Sequence, residues 1–236
     1  MKKLKIQDKF TAIELDAKSI KLAQGEVVLG KPKLTALFFA KDLDLGAAKT
    51  KDNIKSQLLK NAIEADSCLI CLPRHSVTTR YLKLPSQDEK EIEKMVKLQI
   101  PKLLPYASTE IVSSFKIINS DSAGFNYCIV VLAQQNLVKN FYSFLESIGI
   151  KPTKVILSSE GSVNLVAFLE NDSFKNETVI IVDVDVASAD IIIIREGQLV
   201  FTRSISRLSN ETANELSWQN KLQDEIKRSL EIADKE

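Results

Sequence analysis

Few residues in this chain have the chemistry to bind a metal or to run a reaction. Cys68 and Cys71 have the spacing of half a zinc site, and His75 and Cys128 complete a ligand set on paper. Ser67-Cys68-Leu69-Ile70-Cys71-Leu72, however, reads as a buried strand, and residues three apart on a strand point to opposite faces. The cysteines are expected as small core hydrophobes, and no metal is assigned. His75 is the single histidine, so any Ser-His-Asp or Cys-His relay must pass through it. It falls in the turn Pro73-Arg74-His75-Ser76 with nothing else to mark it, and no catalytic residue is assigned. Gly149 and Gly161 are isolated, and neither a G-x-G-x-x-G nor a Walker pattern is present. What remains is carboxylates at two strand ends. Glu14 and Asp16 precede a short turn with Lys18 and Ser19; Asp183 and Asp185 precede another with Ser188.

Strands must position those carboxylates. Phe10–Leu15, Ser19–Gln24 and Leu34–Phe39 read as three strands with tight connections. Ile54, Leu58, Leu59 and Ile63 recur at helical spacing over 50–64, and strands follow over Ser67–Leu72 and Thr78–Leu84. Strand, strand, strand, helix, strand is an α/β layer pattern. Ser86-Gln87-Asp88-Glu89 reads as a capping box with Ser86 as cap. The helix it opens carries Ile92, Met95, Val96 and Gln99 on one face and is expected to stop at Pro101. Its charged face over 86–97 reads as solvated. Ile111–Ile118 and Phe125–Leu132 follow as strands around a turn rich in Asn, Ser, Asp and Gly. A helix over Asn136–Ile148 ends at Gly149, with Phe141, Tyr142 and Phe144 expected in a core. Val155–Leu157 and a helix over Ser159–Leu169 close this block.

The polar stretch Glu170–Glu177 is the expected domain boundary. Beyond it lie strands Val179–Val184, Ala189–Arg195 and Leu199–Ile205, the last two joined by a Glu196-Gly197 hairpin turn. This set echoes Phe10–Gln24 in order and spacing, an internal repeat of strand, acidic turn and strand. A polar helix follows from Asn210, with Leu216, Leu222, Ile226 and Leu230 as its apolar line and Trp218 as a packing residue.

Composition narrows the function classes. The chain has 236 residues, 44% hydrophobic, with 32 basic and 31 acidic residues and a formal charge of +1. No global field draws it to nucleic acid, and none is expected as a partner. Three cysteines, an odd number, fit a reducing cytoplasm better than a disulfide framework. The basic start Met1–Ile6 is followed by no apolar region, so it is not read as a signal peptide. Apolar runs such as Ile191–Ile194 are far too short to cross a bilayer, so no direct membrane insertion is expected.

Two strand–turn–strand units with acidic turns are the layout of the actin, sugar-kinase and Hsp70 ATPases. The resemblance is narrower still to the PilM family of type IV pilus assembly and to the cytoplasmic part of GspL of type II secretion. Leu72–Pro85 looks like the PilM strand–turn–strand ahead of its inserted subdomain. Lys102–Glu110 resembles its Pro-aromatic element, Glu196–Ile205 its later hairpin, and Glu225–Glu231 a helix further on. The resemblance implies an α/β, actin-like (ribonuclease H-like) fold of two domains. The first is expected at 1–169, with an inserted α+β subdomain over about 86–157; the second, shortened, is expected at 178–236.

In PilM the phosphate-binding turns run Asp-x-Gly. Here they read Glu14-Leu15-Asp16-Ala17-Lys18-Ser19 and Asp183-Val184-Asp185-Val186-Ala187-Ser188, with aspartates at the glycine positions. Glycine lets backbone N–H groups approach phosphate, whereas a carboxylate there repels it by ~4 kcal/mol for charges ~4 Å apart at an effective dielectric near 20. Glu14, Asp16, Lys18, Ser19, Asp183, Asp185 and Ser188 are therefore expected to form a degenerate nucleotide and cation site, with ATP and Mg²⁺ binding lost. Alternatively the four carboxylates are solvated strand ends, or they hold a cation that restores binding. Between Arg207 and Glu225 there are too few residues for the fourth PilM subdomain, which is expected to be absent, and no Gly-rich adenosine loop stands before Glu236. The resemblance implies a non-catalytic scaffold of a type IV pilus or type II secretion platform, cytoplasmic at the inner face of the inner membrane. Its expected partners are assembly-platform proteins and a short cytoplasmic peptide of a PilN-like membrane protein, held in a groove beside the inserted subdomain. Leu82, Leu84, Met95 and Val96 are placed in that groove. The competing expectations are an actin-like ATP-binding protein or ATPase, and a self-associating structural module.

Overall fold

Apolar residues at every second position make the first strands, and helical spacing takes over wherever a crossover is needed. The computed structural model describes residues 9–16, 18–63, 68–103, 110–169, 177–185, 188–207 and 215–234. In chain order these form β1 (Lys9–Leu15), β2 (Ile20–Val28), β3 (Lys31–Ala40), α1 (Ala48–Lys60), β4 (Cys68–Leu72) and a 3-10 turn (Arg74–Ser76). Then come β5 (Thr78–Leu84), α2 (Glu89–Leu103), β6 (Ile111–Ser120), β7 (Asn126–Gln134), α3 (Gln135–Ser147), β8 (Pro152–Leu157) and α4 (Ser158–Leu169). The last elements are β9 (Thr178–Val184), β10 (Ser188–Arg195), β11 (Gln198–Ser206) and α5 (Glu215–Ala233). The Pro-aromatic element at 104–109, the boundary stretch 170–176 and the turn residues Ala17, Val186 and Ala187 lie outside the described residues.

The chain divides into two units. One comprises residues 1–73 and 136–158, the other 74–135 and 159–236. This division cuts the chain elsewhere than the expected 1–169 and 178–236. The segment inserted into the first unit is 74–135 rather than 86–157, because β8 pairs in parallel with β4 and returns with α3 to the first sheet.

The first unit is built on a mixed sheet of order β3-β2-β1-β4-β8. β1, β2 and β3 form an antiparallel meander, while β4 lies parallel to β1 from Thr11↔Cys68 to Glu14↔Cys71. Ile13, Leu15 and Ile20 are 0% exposed at its centre. Ile54 and Leu58 of α1 are also buried, as are Phe141, Phe144 and Leu145 of α3. α3 ends in a Schellman motif. Gly149 sits at φ +88, the Ile150 N–H donates to the Leu145 carbonyl at 2.9 Å, and the Gly149 N–H donates to that of Glu146 at 3.0 Å. α1 closes in the same way, with Ala62 at φ 52 in the glycine position. The left-handed turn at Ala62 is why this helix stops at Lys60 and does not reach the expected residue 64.

The second unit holds two three-stranded antiparallel sheets, β5-β7-β6 and β11-β10-β9. α2 lays Ile92, Val96 and Ile100 on Leu84, Cys128, Val130 and Leu132 of the first. Its cap is Asp88, not Ser86. Asp88 Oδ1 accepts from the Lys90 and Glu91 N–H groups at 2.9 Å each, and Ser86 Oγ donates to Glu91 Oε2 at 2.6 Å. The helix also passes Pro101 and ends at Leu103. Pro101 is exposed, on the solvent side, where the carbonyl deprived of its N–H can turn to water. In the other sheet β10 is buried on both faces. Ala189, Ile191 and Ile193 meet Trp218, Leu222, Ile226 and Leu230 of α5, whereas Ile192 and Ile194 meet Val163 of α4 and Ile129 of β7. Leu216, expected on the same apolar line, is 66% exposed. Trp218, 2% exposed, is the packing residue that the sequence suggests.

Candidate functional site

The two acidic turns have the same backbone. In the first, Leu15 pairs with Ile20 and the Asp16 N–H donates to the Ser19 carbonyl at 3.0 Å. In the second, Val184 pairs with Ala189 and the Asp185 N–H donates to the Ser188 carbonyl at 2.8 Å. The internal echo in the sequence is thus an identity of register, position by position. In each turn the N–H of the aspartate is spent on closing the turn.

Their side chains differ. In the first unit Glu14 faces Lys21 across β1 and β2 and forms an ion pair at 3.0 Å. Asp16 and Ser19 are half-buried beside it, and Lys18 is exposed. In the second unit the matching cross-strand pair is Asp183 and Asp190. Asp183 and Asp185 are exposed and Ser188 is half-buried. Burial raises the pKa of Asp190 above the usual carboxylate range, Asp183 adds to the rise, and Arg74 and His75 oppose it. Glu14 and Asp16 therefore belong to one unit, Asp183 and Asp185 to the other.

The thiols are not poised for metal. Cys68 is buried and Cys71 is half-buried on the opposite side of β4. Burial pushes Cys68 up to about 12, with Cys71 contributing, and Cys71 up to about 11, with Glu14 contributing. Both are protonated at neutral pH and poor zinc ligands. Cys128 is raised by burial as well. Among the described residues no group of three or more His, Cys, Asp and Glu is placed to hold a metal ion.

The four residues placed in a partner groove fall in one cluster around α2 and β5. Leu84 and Val96 fill its core at 5% and 2% exposure, while Leu82 and Met95 lie half-buried at its margin. Only the latter two have surface to offer a ligand. A cavity of about 130 Å³ opens elsewhere in the second unit, between Ile118, Asn119, Gln198 and Val200. It is smaller than the ~300–1,000 Å³ of ligand pockets.

Sequence reasoning missed the buried polar junction of the second unit. Arg74, 7% exposed, donates through Nη1 to the Val77 carbonyl at 3.0 Å. Through Nη2 it donates to Thr79 Oγ1 at 2.6 Å and to the Thr202 carbonyl at 2.8 Å. The Thr202 hydroxyl meets Ser159 Oγ at 2.8 Å, and the Thr202 N–H donates to the Tyr81 hydroxyl at 2.8 Å. Tyr81 in turn stacks on Phe201 with ring centroids 5.5 Å apart. Burial lowers the Arg74 pKa. Nothing in the sequence distinguishes Arg74 from an exposed turn arginine.

The family model of the type IV pilus assembly protein PilM matches residues 43–227. The chain belongs to the PilM family. That span takes in the inserted sheet, the Arg74 junction and the second acidic turn. Among solved structures the chain is similar to the one described as a PilM–PilN type IV pilus biogenesis complex. The TM-score is 0.71 at 20% identity, covering 86% of this chain. This PilM-family chain spans 62% of the length of the chain it matches there. It is also similar to the cytoplasmic domain of EpsL, an inner membrane component of the type II secretion system of Vibrio cholerae, with a TM-score of 0.55 at 9% identity over 84% of this chain and 71% of that one. A Bacteroides thetaiotaomicron protein described as having an actin-like ATPase fold and unknown function matches with a TM-score of 0.53 at 13% identity, over 96% of this chain and 80% of that one. The fold is therefore actin-like. No curated protein matches the sequence significantly. Among the described residues no helix is long and apolar enough to cross a membrane.

Proposed function

We propose that this PilM-family chain is a non-catalytic scaffold of a type IV pilus or type II secretion platform. It works in the cytoplasm at the inner face of the inner membrane, with assembly-platform proteins as partners. It captures a short cytoplasmic peptide of a PilN-like membrane protein beside the inserted sheet, where Leu82 and Met95 border the α2 cluster. The observation that carries this reading is the family match over 43–227, joined to the likeness to a PilM solved with PilN.

The acidic turns support a nucleotide site that has degenerated. A phosphate cradle needs free backbone N–H groups and no opposing charge. Here the aspartate N–H groups of both turns are committed to serine carbonyls, and Asp183 and Asp190 face each other across the second. Thermal denaturation with millimolar Mg²⁺-ATP tests this half of the reading. A ligand at ~100 times its Kd stabilises by ~2.7 kcal/mol, and no shift is expected. A clear shift with hydrolysis would instead favour an actin-like ATPase. Titration with the N-terminal cytoplasmic peptide of a PilN-like protein tests the other half, with saturable binding as the expected result.

A further inference from the structure

The near-neutral total charge hides an uneven division. The first unit carries 16 lysines and no arginine against 10 aspartates and glutamates, a net +6. The second carries 16 basic and 21 acidic residues, a net −5. Within the first unit the charge is also polarised along the strands. β1, β4 and β8 are parallel and start at one end, where the β2–β3 hairpin also closes. α1 and α3 cross back to that end before β4 and β8 begin. Lys9, Lys31, Lys33, Lys60, Lys151 and Lys154 gather there, all exposed. Among the described residues Glu26 and Glu146 are the carboxylates at this end, and Lys33 engages Glu26 at 3.5 Å. The segments 1–8 and 64–67, which lead into β1 and β4, add three lysines and three carboxylate residues and leave the sum unchanged. Glu14, Asp16, Asp42 and Asp44 lie at the opposite end, where the Leu43 N–H donates to the Lys18 carbonyl of the acidic turn at 2.9 Å.

Aliphatic residues stand among the lysines. Leu29 is 99% exposed, Leu59 73% and Val28 43%. Leu29 forms the hairpin tip at φ 53, where a left-handed backbone favours asparagine, aspartate or glycine. The hairpin of β10 and β11 has the same geometry and carries Glu196 at that position. A leucine here adds nothing to the turn. Lysines are seldom buried, so an end ringed with them belongs at the surface.

We propose that this end of the first unit rests on the anionic lipid surface of a membrane, with the lysines on the headgroup phosphates and Leu29 in the interfacial layer between them. The proposal rests on the reading that the chain works at the inner face of the inner membrane, and it adds a direct contact to the one made through a partner's peptide. Fixed positive charge and an aliphatic tip occur together, and a bilayer interface accommodates both. A nucleic acid would use the charge alone. Base readout and stacking rely on arginine and aromatic side chains, whereas this unit has no arginine and its tip is aliphatic. The acidic end is repelled by the same surface, so the field also selects which end turns to the membrane.

Co-sedimentation of the whole chain with lipid vesicles tests the contact. Vesicles of about 30% phosphatidylglycerol in phosphatidylcholine are expected to bind it at ~0.1 M salt and to release it at ~1 M, whereas phosphatidylcholine alone does not bind. Lys31→Glu, Lys60→Glu and Lys151→Glu together are expected to weaken binding by ~100-fold or more, since each lysine near such a surface contributes about fivefold. Lys90→Glu, Lys94→Glu and Lys227→Glu make the same charge change at exposed positions of the second unit and should leave it nearly unchanged. Leu29→Asn suits the turn better, so it should hold or raise the thermal midpoint while weakening vesicle binding by about tenfold. Titration with the PilN-like peptide should be unchanged in the Lys31, Lys60 and Lys151 variant, because Leu82 and Met95 belong to the other unit. Loss of lipid binding and loss of peptide binding are thus read separately. A wild-type chain that ignores the anionic vesicles overturns the proposal, as does binding that falls equally in both triple variants. A short DNA duplex bound as tightly as the vesicles, with Leu29→Asn changing neither, overturns it too.

Discussion

The meanders β1-β2-β3 and β9-β10-β11 share a register, a turn hydrogen bond and a tight hairpin, yet they are stabilised in different ways. Each hairpin turns on two residues of positive φ, Leu29-Gly30 at 53 and 77 and Glu196-Gly197 at 52 and 72, as the twist of the flanking strands requires. In the first meander the middle strand carries Lys21, Ala23 and Gln24, the lysine neutralises Glu14, and Gln24 donates to Thr11 at 3.2 Å. In the second the corresponding residues are Asp190, Ile192 and Ile193. The strand has become apolar on both faces, and its one acidic pair has no lysine between the strands. Backbone geometry alone therefore does not make a binding turn. The cross-strand partner decides whether charge at the turn is cancelled or accumulates.

Substitutions can break or sharpen this contrast. The largest effect is expected at the junction that only the second meander has. Arg74→Ala strips donors from Thr79 and from the Val77 and Thr202 carbonyls, and should cost ~3 kcal/mol or more in urea unfolding. Arg74→Lys should recover little, since one ammonium cannot reach the same three acceptors. Ile193→Ala removes a side chain that is 0% exposed and should cost ~3 kcal/mol. The matching change Gln24→Ala should cost ~1 kcal/mol, a single hydrogen bond's worth. A smaller gain is expected in the first unit. Ala62→Gly relieves a left-handed residue at the end of α1 and should stabilise by ~0.5–1 kcal/mol, whereas Gly149→Ala should lose about as much.

The smallest effect tests the charge difference itself. Asp183→Lys gives the second meander the opposite-charge pair of the first, and should gain ~0.5 kcal/mol at neutral pH. The folded-state pKa of Asp190 is raised, so its contribution is full below the unfolded value near ~3.9 and is lost as pH rises through the folded one. Wild-type stability should therefore carry a component that falls between those values. In Asp183→Lys that component should shrink, with the Asp190 carboxyl titrating lower by NMR. An unchanged Asp190 titration would show that Asp183 does not act on it.

Much of this was legible because alternation and helical spacing leave a mark in sequence. The order of strands and helices follows from the apolar positions, and the repeated acidic turns follow from Glu14, Asp16, Asp183 and Asp185. The opposite orientations of Cys68 and Cys71 follow from strand geometry alone. What could not be read depends on partners distant in the chain. The Arg74 junction joins residues 128 apart, and no local pattern announces it. Leu84 and Val96 look like groove residues until α2 is laid on β5 and buries them. Ser86 looks like a cap because Ser-x-x-Glu fits, but Asp88 reaches the free N–H groups of Lys90 and Glu91 directly. The pairing of β8 with β4, which moves the insertion to 74–135, depends on a parallel register set by the rest of the sheet.

That insertion bears on how the chain is made. β4 and β8 lie side by side in the finished sheet, but the segment 74–135 leaves the ribosome between them. At ~5–20 residues per second the first sheet waits several seconds for its last strand. During that interval β5, β6 and β7 can close on α2 by short-range contacts. The inserted sheet is thus expected to be the earlier folding nucleus, and the first unit, though it holds the N-terminus, the later one to mature.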